Sequence, residues 1–204
     1  MVLGSTLLAC QTAPKLTPES TPEIAVPANV EVEVQTPPAQ VQQINPQEAL
    51  YQQAIESTQT GDVDTAIRQF NQLIISNPST NKVYTNLGLL YLHKKQIDKA
   101  KESFQKAIKQ DDSDAIAYNH LAIIHRQQGE FTQALYHYYN AINADANYAN
   151  AHLNLGILLD IYLQDLPKAL EQYEIYQTLI SVKNEKVDKW IIDIKRRIDA
   201  KKGQ

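Results

Sequence analysis

The chain has 204 residues, of which 43% are hydrophobic, and its 19 basic and 23 acidic side chains give a formal net charge of -4. This length suggests one or two domains, and the acidic balance provides no basic field that would attract nucleic acid. The single cysteine excludes an intramolecular disulfide.

The first ten residues form a short apolar run that ends in Leu7-Leu8-Ala9-Cys10. This run resembles a bacterial lipobox, in which an aliphatic residue, a tolerant position and a small residue precede the cysteine that receives the lipid. The resemblance implies lipid attachment at Cys10. Because the run lacks a basic n-region and is shorter than an export signal, either the true start lies upstream or the resemblance is chance. We interpret residues 1–10 as a truncated signal and lipobox segment. An ordinary free cysteine is the alternative.

Residues 11–46 contain seven of the nine prolines, mixed with Thr, Gln, Glu and Val and without glycine. Such a segment buries too little apolar area to offset the entropy lost on ordering, and its prolines favour extended conformations. The composition therefore predicts a disordered tether between the lipobox and the rest of the chain.

A pair formed by a small residue and an aromatic residue recurs along the remaining chain. Successive alanines of these pairs are 34, 34 and 35 residues apart. A fixed period in this range indicates a solenoid of stacked helical hairpins, each too small to bury both of its faces alone. The pairs are Ala66 with Phe70, Ala100 with Phe104, Ala134 with Tyr138, and Ala169 with Tyr173.

The pattern around these pairs resembles the tetratricopeptide repeat (TPR), W-x2-L-G-x2-Y, then A-x3-F, then P. The second repeat matches it best, with Tyr84, Leu87, Gly88, Tyr91 and Ala100 in the expected positions. The resemblance implies an all-α, right-handed superhelical solenoid with four helical hairpins and a capping helix. The predicted boundaries are 47–80, 81–114, 115–148 and 149–182 for the repeats and 183–204 for the C-terminal capping helix.

Two features of the C-terminal third depart from a plain repeat. The fourth repeat has one extra residue between Gly156 and Ala169, which predicts a lengthened turn or a π-bulge, a feature often found at functional sites. In the last segment, Val187, Trp190 and Ile194 belong to an apolar stripe at helical spacing. We expect this stripe to cover the open end of the solenoid; an amphipathic helix on a membrane surface is the alternative.

Catalytic and metal-binding motifs are absent from the sequence. His125 and His152 occupy positions where the repeat has an aromatic residue, so we interpret both as packing residues. The run from Asp111 to Asp114 lacks the glycine and the distal glutamate of a calcium loop and is interpreted as a turn between repeats. No phosphate loop, nucleophile elbow or catalytic triad is found. We expect a protein that is not an enzyme and has no cofactor or metal.

The resemblance to TPR proteins also implies where a partner binds, since in this family the first helices line a concave groove. The ninth position of the four repeats holds an unbroken aliphatic row, which suits an amphipathic helix or an extended apolar peptide. Packing of this row against neighbouring helices is the alternative. The predicted groove contacts are Tyr51, Ile55, Lys82, Leu89, Asn119, Ile123, Arg126, Asn150 and Ile157.

These features predict an interaction scaffold in the bacterial envelope, anchored through Cys10. Gln11, in place of aspartate, implies by analogy the periplasmic face of the outer membrane; a cytoplasmic adaptor is an alternative. The segment 151–197 also resembles proteobacterial TPR lipoproteins, some of them encoded beside TonB-type energy-transduction components. That second resemblance implies an accessory role in a TonB-type system. A pilotin-like lipoprotein that assembles a pilus or secretin is the other alternative.

Overall fold

The computed structural model describes residues 45–76 and 81–202. Cys10, residues 11–44 of the predicted tether and Pro78 lie outside the described residues. Pro46, which the sequence analysis assigned to the tether, is the first residue of helix α1, and Gln47 N donates a hydrogen bond to the capping Asn45 Oδ1 at 3.0 Å. The folded repeat region therefore begins one residue earlier than predicted, because proline is well suited to the first turn of a helix.

All regular elements in the described ranges are helical, and consecutive helices pack as hairpins. The first helices α3, α5 and α7 also contact one another, which makes them the inner layer of the stack. This arrangement confirms the predicted all-α solenoid of four hairpins followed by one helix. The helices are α1 Pro46–Gln59, α2 Val63–Ser76, α3 Asn81–His93, α4 Ile97–Gln110, α5 Ala115–Gln127, α6 Phe131–Ala144, α7 Ala149–Ile157, α8 Leu166–Leu179 and α9 Glu185–Lys202, with a π-helical turn Leu158–Tyr162 after α7.

The recurring pairs of a small and an aromatic residue form the core between the two helices of each hairpin. All four alanines and the rings of Phe70, Phe104 and Tyr138 are fully buried, and Tyr173 is 1% exposed. The first helix approaches each ring closely. At Gly88, an added Cβ would lie 2.5 Å from the Phe104 ring, so the backbone of α3 rests directly on that ring.

Each hairpin turns through one residue in the left-handed region, at intervals of 34, 34 and 35 residues. Two of these residues are glycines, Gly61 (φ 81°) and Gly129 (φ 77°), while Lys95 (φ 58°) and Gln164 (φ 57°) hold the same conformation with a side chain. A residue with a Cβ is strained there. The four turns therefore share one geometry although only two have the residue that favours it.

A π-helical turn accommodates the extra residue of the fourth repeat. Leu163 N donates to Leu158 O at 3.1 Å, the five-residue spacing of a π-helix, and the turn carries three exposed apolar side chains, Ile161, Tyr162 and Leu163. Of the two predicted alternatives, the structure shows the π form. Asp165 then caps α8 by accepting from Lys168 N at 3.3 Å, so that Ala169 and Tyr173 keep their places in the core.

Helix α9 covers the last hairpin with the predicted apolar stripe. Val187 and Ile194 are buried, and the Trp190 ring lies 5.4 Å from that of Tyr173, centroid to centroid. Arg197 also joins α9 to the π-helical turn, because its Nη1 donates to Asp160 Oδ1 at 2.8 Å. The stripe thus serves as a cap. Within the described ranges, every helix is too short or too polar to span a bilayer.

Candidate functional site

The predicted aliphatic row follows the inner layer of first helices. Ile55, Leu89, Ile123 and Ile157, here called the groove row, are all half-buried. Each packs against a core cluster with part of its side chain. Both sequence interpretations therefore describe part of the row: its members pack inward, and their remaining surface is open to a ligand.

The surface of the groove row is concave around Leu89. A cavity of about 210 Å³ opens there between the first and second hairpins. Asn86 and His93 of α3 line it on one side, and Thr58 and Val63 line it on the other. The wall is therefore built from apolar surface with a polar rim, as in many binding clefts.

The polar residues predicted to contact a partner divide into two groups. Lys82 and Asn150 are exposed, and Tyr51 is half-buried with its hydroxyl accepting from Asn86 Nδ2 at 3.3 Å. Asn119 contradicts the prediction: it is 2% exposed, and its Oδ1 accepts a hydrogen bond from Asn154 Nδ2 at 3.1 Å. Asn119 therefore joins α5 to α7 and is a packing residue, because a buried amide needs a partner within the protein.

Arg126 lies beside the π-helical turn, at the end of the groove row nearest the fourth hairpin. Its guanidinium carbon lies 5.9 Å above the centre of the Tyr162 ring, a cation–π distance. Its Nε is buried and has no hydrogen-bond partner among the described residues. The hydroxyl of Tyr138 is buried nearby, and burial raises the pKa of Tyr138 to about 12, while the positive charge of Arg126 and a hydrogen bond with its side chain act in the opposite direction.

The sequence analysis did not identify Tyr162 as part of this site. The Tyr162 ring also packs 4.9 Å from Phe131, so the π-helical turn places an aromatic side chain between α6 and Arg126. The extra residue of the fourth repeat was the available signal, but spacing alone could not show which side chain the turn would present.

The histidines have the predicted structural roles. His152 is 4% exposed, with Nδ1 2.8 Å from Gln172 Oε1 and Nε2 3.1 Å from Ala146 O. His125 is buried, contacts Glu130 and stacks on His137 at 5.1 Å. Both are packing residues, as expected.

His137 is the most strongly perturbed histidine of the described region. Burial lowers its pKa to about 4, and the nearby positive charges of His125 and Lys101 act in the same direction. Within the described ranges, His, Cys, Asp and Glu form no group of three that could hold a metal ion. The predicted calcium-like run is a turn in which Asp114 caps α5, accepting from Ala117 N at 2.8 Å.

The comparison with protein families identifies two segments of the chain. Residues 82–114 match the model "Tetratricopeptide repeat" and residues 124–160 match the model "TPR repeat". Among curated proteins, none is significantly similar in sequence.

Solved structures of similar fold support the family assignment. A MamA crystal structure is 26% identical over 65% of this chain and 72% of its own, with a TM-score of 0.57. PilF from Pseudomonas aeruginosa is 18% identical over 76% of this chain and 69% of its own, with a TM-score of 0.65. YrrB, described as a TPR protein with an unusual peptide-binding site, is 19% identical over 66% of this chain and 70% of its own, with a TM-score of 0.56. With four stacked hairpins and two matching segments, the chain contains tetratricopeptide repeats.

Proposed function

We propose that this TPR protein is a non-enzymatic scaffold that binds an apolar peptide or an amphipathic helix of a partner protein along the groove row. The observation that carries the proposal is the unbroken row of four half-buried aliphatic side chains on four successive first helices. An amphipathic helix presents apolar anchors at regular spacing to such a groove. The interaction-scaffold role of TPR proteins agrees with this reading.

Arg126 gives the groove a polar end that can fix the direction of the ligand. Arg126 as a whole is half-buried, so its side chain is in part accessible to a ligand. A partner carboxylate at this end would form a charge-assisted hydrogen bond, which is stronger than a neutral one. Tyr162, held over the guanidinium by the π-helical turn, would cover the contact.

The proposal includes an envelope location. A lipid on Cys10 would anchor the protein at the periplasmic face of the outer membrane, with the residues between Cys10 and α1 as a tether. One acyl chain binds a membrane only marginally, so the two or three chains of a lipoprotein would be needed for a stable anchor. In this position the scaffold would serve a TonB-type system.

Photocrosslinking in cells tests the groove. A benzoylphenylalanine placed at Ile123 should crosslink one partner protein, because this side chain lies in the middle of the groove row. The same reporter at Ile75, which is 85% exposed on α2, is the matched control. Equal crosslinking of the same partner from both positions would contradict the proposal.

Substitution of the groove row provides a second measurement. Leu89→Asp with Ile123→Asp should abolish capture of the crosslinked partner, and Arg126→Gln should weaken it without exposing core surface. The control Ile75→Asp should leave capture unchanged, and circular dichroism checks that each variant keeps its helical signal. Undiminished capture by both groove variants would place the ligand elsewhere.

Labelling with radioactive palmitate tests the anchor. The protein expressed from its natural locus should incorporate label, and Cys10→Ser should remove it. Unchanged labelling of the variant, or none in the wild type, would leave the cytoplasmic adaptor as the better reading. The identity of the crosslinked partner separates the remaining alternatives, since a pilus or secretin component would favour the pilotin-like role over a TonB-type system.

A further inference from the structure

A second pocket is formed by α2, α3 and α4 and shares no residue with the groove row. It encloses about 310 Å³, at the lower end of the range of about 300 to 1,000 Å³ in which proteins hold ligands. Its walls are two tyrosine rings from α3 and a polar set from α4. We call it the tyrosine pocket, lined by Tyr84, Tyr91, Lys99, Glu102, Ser103 and Lys106, with Ile74 of α2 opposite.

The tyrosine pocket exists because one recurring contact is missing from the second hairpin. In the other three hairpins, the residue equivalent to Ser103 contacts the first helix, at the position of Tyr91 in the first and third hairpins and at the position of Tyr84 in the fourth. These contacts are Gln69 Oε1 with Ser57 Oγ at 2.9 Å, the rings of His137 and His125 at 5.1 Å, and Gln172 Oε1 with His152 Nδ1 at 2.8 Å.

Ser103 is too short to make the equivalent contact. Its Oγ donates instead to Lys99 O within α4, at 2.8 Å. The rings of Tyr84 and Tyr91, which stand where the third hairpin has Tyr118 and His125, therefore line the pocket. In the third hairpin the imidazole of His137 occupies this place, with its centroid 6.0 Å from Tyr118 and 5.1 Å from His125.

The geometry of the third hairpin thus indicates what the pocket of the second would hold. A planar ring placed between Tyr84 and Tyr91 would contact both rings as His137 contacts their counterparts. Aromatic pairs at such distances contribute about 0.5 to 1.5 kcal/mol beyond the area that they bury. The space suits one aromatic side chain.

The charges at the rim define the second requirement. Lys106 Nζ lies 5.9 Å from the centre of the Tyr84 ring and pairs with Glu102 Oε1 at 2.7 Å, which raises the pKa of Lys106. Lys99 Nζ lies 5.6 Å from the centre of the Tyr91 ring and forms no ion pair with a described residue. Two lysines and one glutamate leave one positive charge at the rim, and it belongs to Lys99.

We propose that the tyrosine pocket receives an aromatic side chain of a partner polypeptide, in the place that the imidazole of His137 occupies one hairpin later. An acidic residue next to that aromatic side chain pairs with Lys99. This site is separate from the groove row, so a partner, or a second partner, docks there whether or not the groove is occupied.

The test is a titration of the full-length protein, labelled with ¹⁵N, with short peptides. Acetyl-Trp-Glu-amide is the probe, acetyl-Trp-Gln-amide lacks the charge, and acetyl-Ala-Glu-amide lacks the ring. The first should shift amide resonances of α3 and α4 and leave those of α6 and α8 unchanged. The second should bind about two- to five-fold more weakly, the worth of one exposed ion pair, and the third should cause no shift.

Two variants of one residue provide the matched controls. Ser103→His copies the third hairpin and fills the pocket from within, so it should abolish binding while keeping the fold. Ser103→Ala leaves the pocket open and should bind the probe within about two-fold of the wild type. Lys99→Gln should weaken binding of the peptide with glutamate to the affinity of the peptide with glutamine.

Three outcomes would overturn the proposal. These are no shift with either tryptophan peptide, shifts that map to the groove row on α1, α5 and α7 and not to α4, and binding that survives Ser103→His. None of these results depends on Ile123 or Arg126, so failure of this proposal is distinguishable from failure of the proposed groove.

Discussion

The close contact between Gly88 and Phe104 leads to a prediction that opposes the one from sequence comparison. Hairpins one and three carry Ala54 and Ala122 at the position of Gly88. A comparison of repeats therefore suggests that Gly88→Ala is tolerated. It would even be stabilising, since alanine is favoured over glycine in a helix by about 1 kcal/mol.

The structure predicts the opposite sign. The added Cβ would lie 2.5 Å from Phe104 Cε1, whereas ordinary contact begins near 3.4 Å, and the ring that would have to shift is fully buried. Overpacking of this kind costs about 1 to 3 kcal/mol. Set against a gain of about 1 kcal/mol in helix propensity, this cost leaves a net loss of up to about 2 kcal/mol in the free energy of unfolding.

A double-mutant cycle measured by urea denaturation isolates the contact. In a Phe104→Leu background the Cβ has space, so Gly88→Ala should become neutral or stabilising, giving a coupling of at least about 1 kcal/mol. The midpoints are compared at matched slopes, because a changed slope would signal a different unfolded state. If Gly88→Ala stabilises the wild type by the full gain in helix propensity, the steric reasoning is refuted.

Three further predictions concern a turn, a buried base and an ion pair. Lys95→Gly should stabilise the protein by about 0.5 to 1 kcal/mol in urea denaturation, because glycine adopts the positive φ without strain; a loss would contradict it. In the unfolded chain His137 is protonated below about pH 6.5, whereas in the native protein burial lowers its pKa to about 4. The free energy of unfolding therefore falls as the pH is lowered through this window. His137→Gln should flatten that slope of unfolding midpoint against pH, and an unchanged slope would assign the effect to other groups. Arg197→Gln leaves Asp160, whose side chain is 13% exposed, without its cation, and should cost about 1 to 2 kcal/mol by thermal denaturation. The exposed neighbour Arg196→Gln should cost less than about 0.5 kcal/mol, and equal losses would remove the ion pair from the account.

The architecture was predictable because each repeat carries its packing pattern within one hairpin of the sequence. The small and aromatic pairs, such as Ala100 with Phe104, fix the period of the hairpins, and their spacing predicts burial that the structure confirms. The stripe of α9 was equally readable, since Val187 and Ile194 recur at helical spacing. These signals need only the geometry of one helix or one hairpin.

The candidate site was less predictable because its details arise between hairpins. The position of Asn119 on the inner helix suggested a ligand contact. In the structure its Oδ1 instead accepts a hydrogen bond from Asn154 of the next hairpin. The tyrosine pocket likewise lies between two hairpins, since Ile74 of α2 lines it opposite the rings of α3. The repeat period and the helix propensities of single residues do not show which side chains meet. A comparison of Ser103 with the larger residues at the same position in the other hairpins could have suggested the tyrosine pocket.

The π-helical turn shows how a solenoid can change one surface and keep its interior. An insertion in a regular α-helix would rotate every later side chain by about 100 degrees, since each residue advances the helix by one part in 3.6 of a turn. Here the surplus is absorbed within Leu158–Tyr162, and Tyr173 remains 1% exposed. The core pairs of small and aromatic residues therefore keep their positions while the surface of this hairpin changes. Ile161 and Tyr162 can be substituted to suit a ligand without a change in the core.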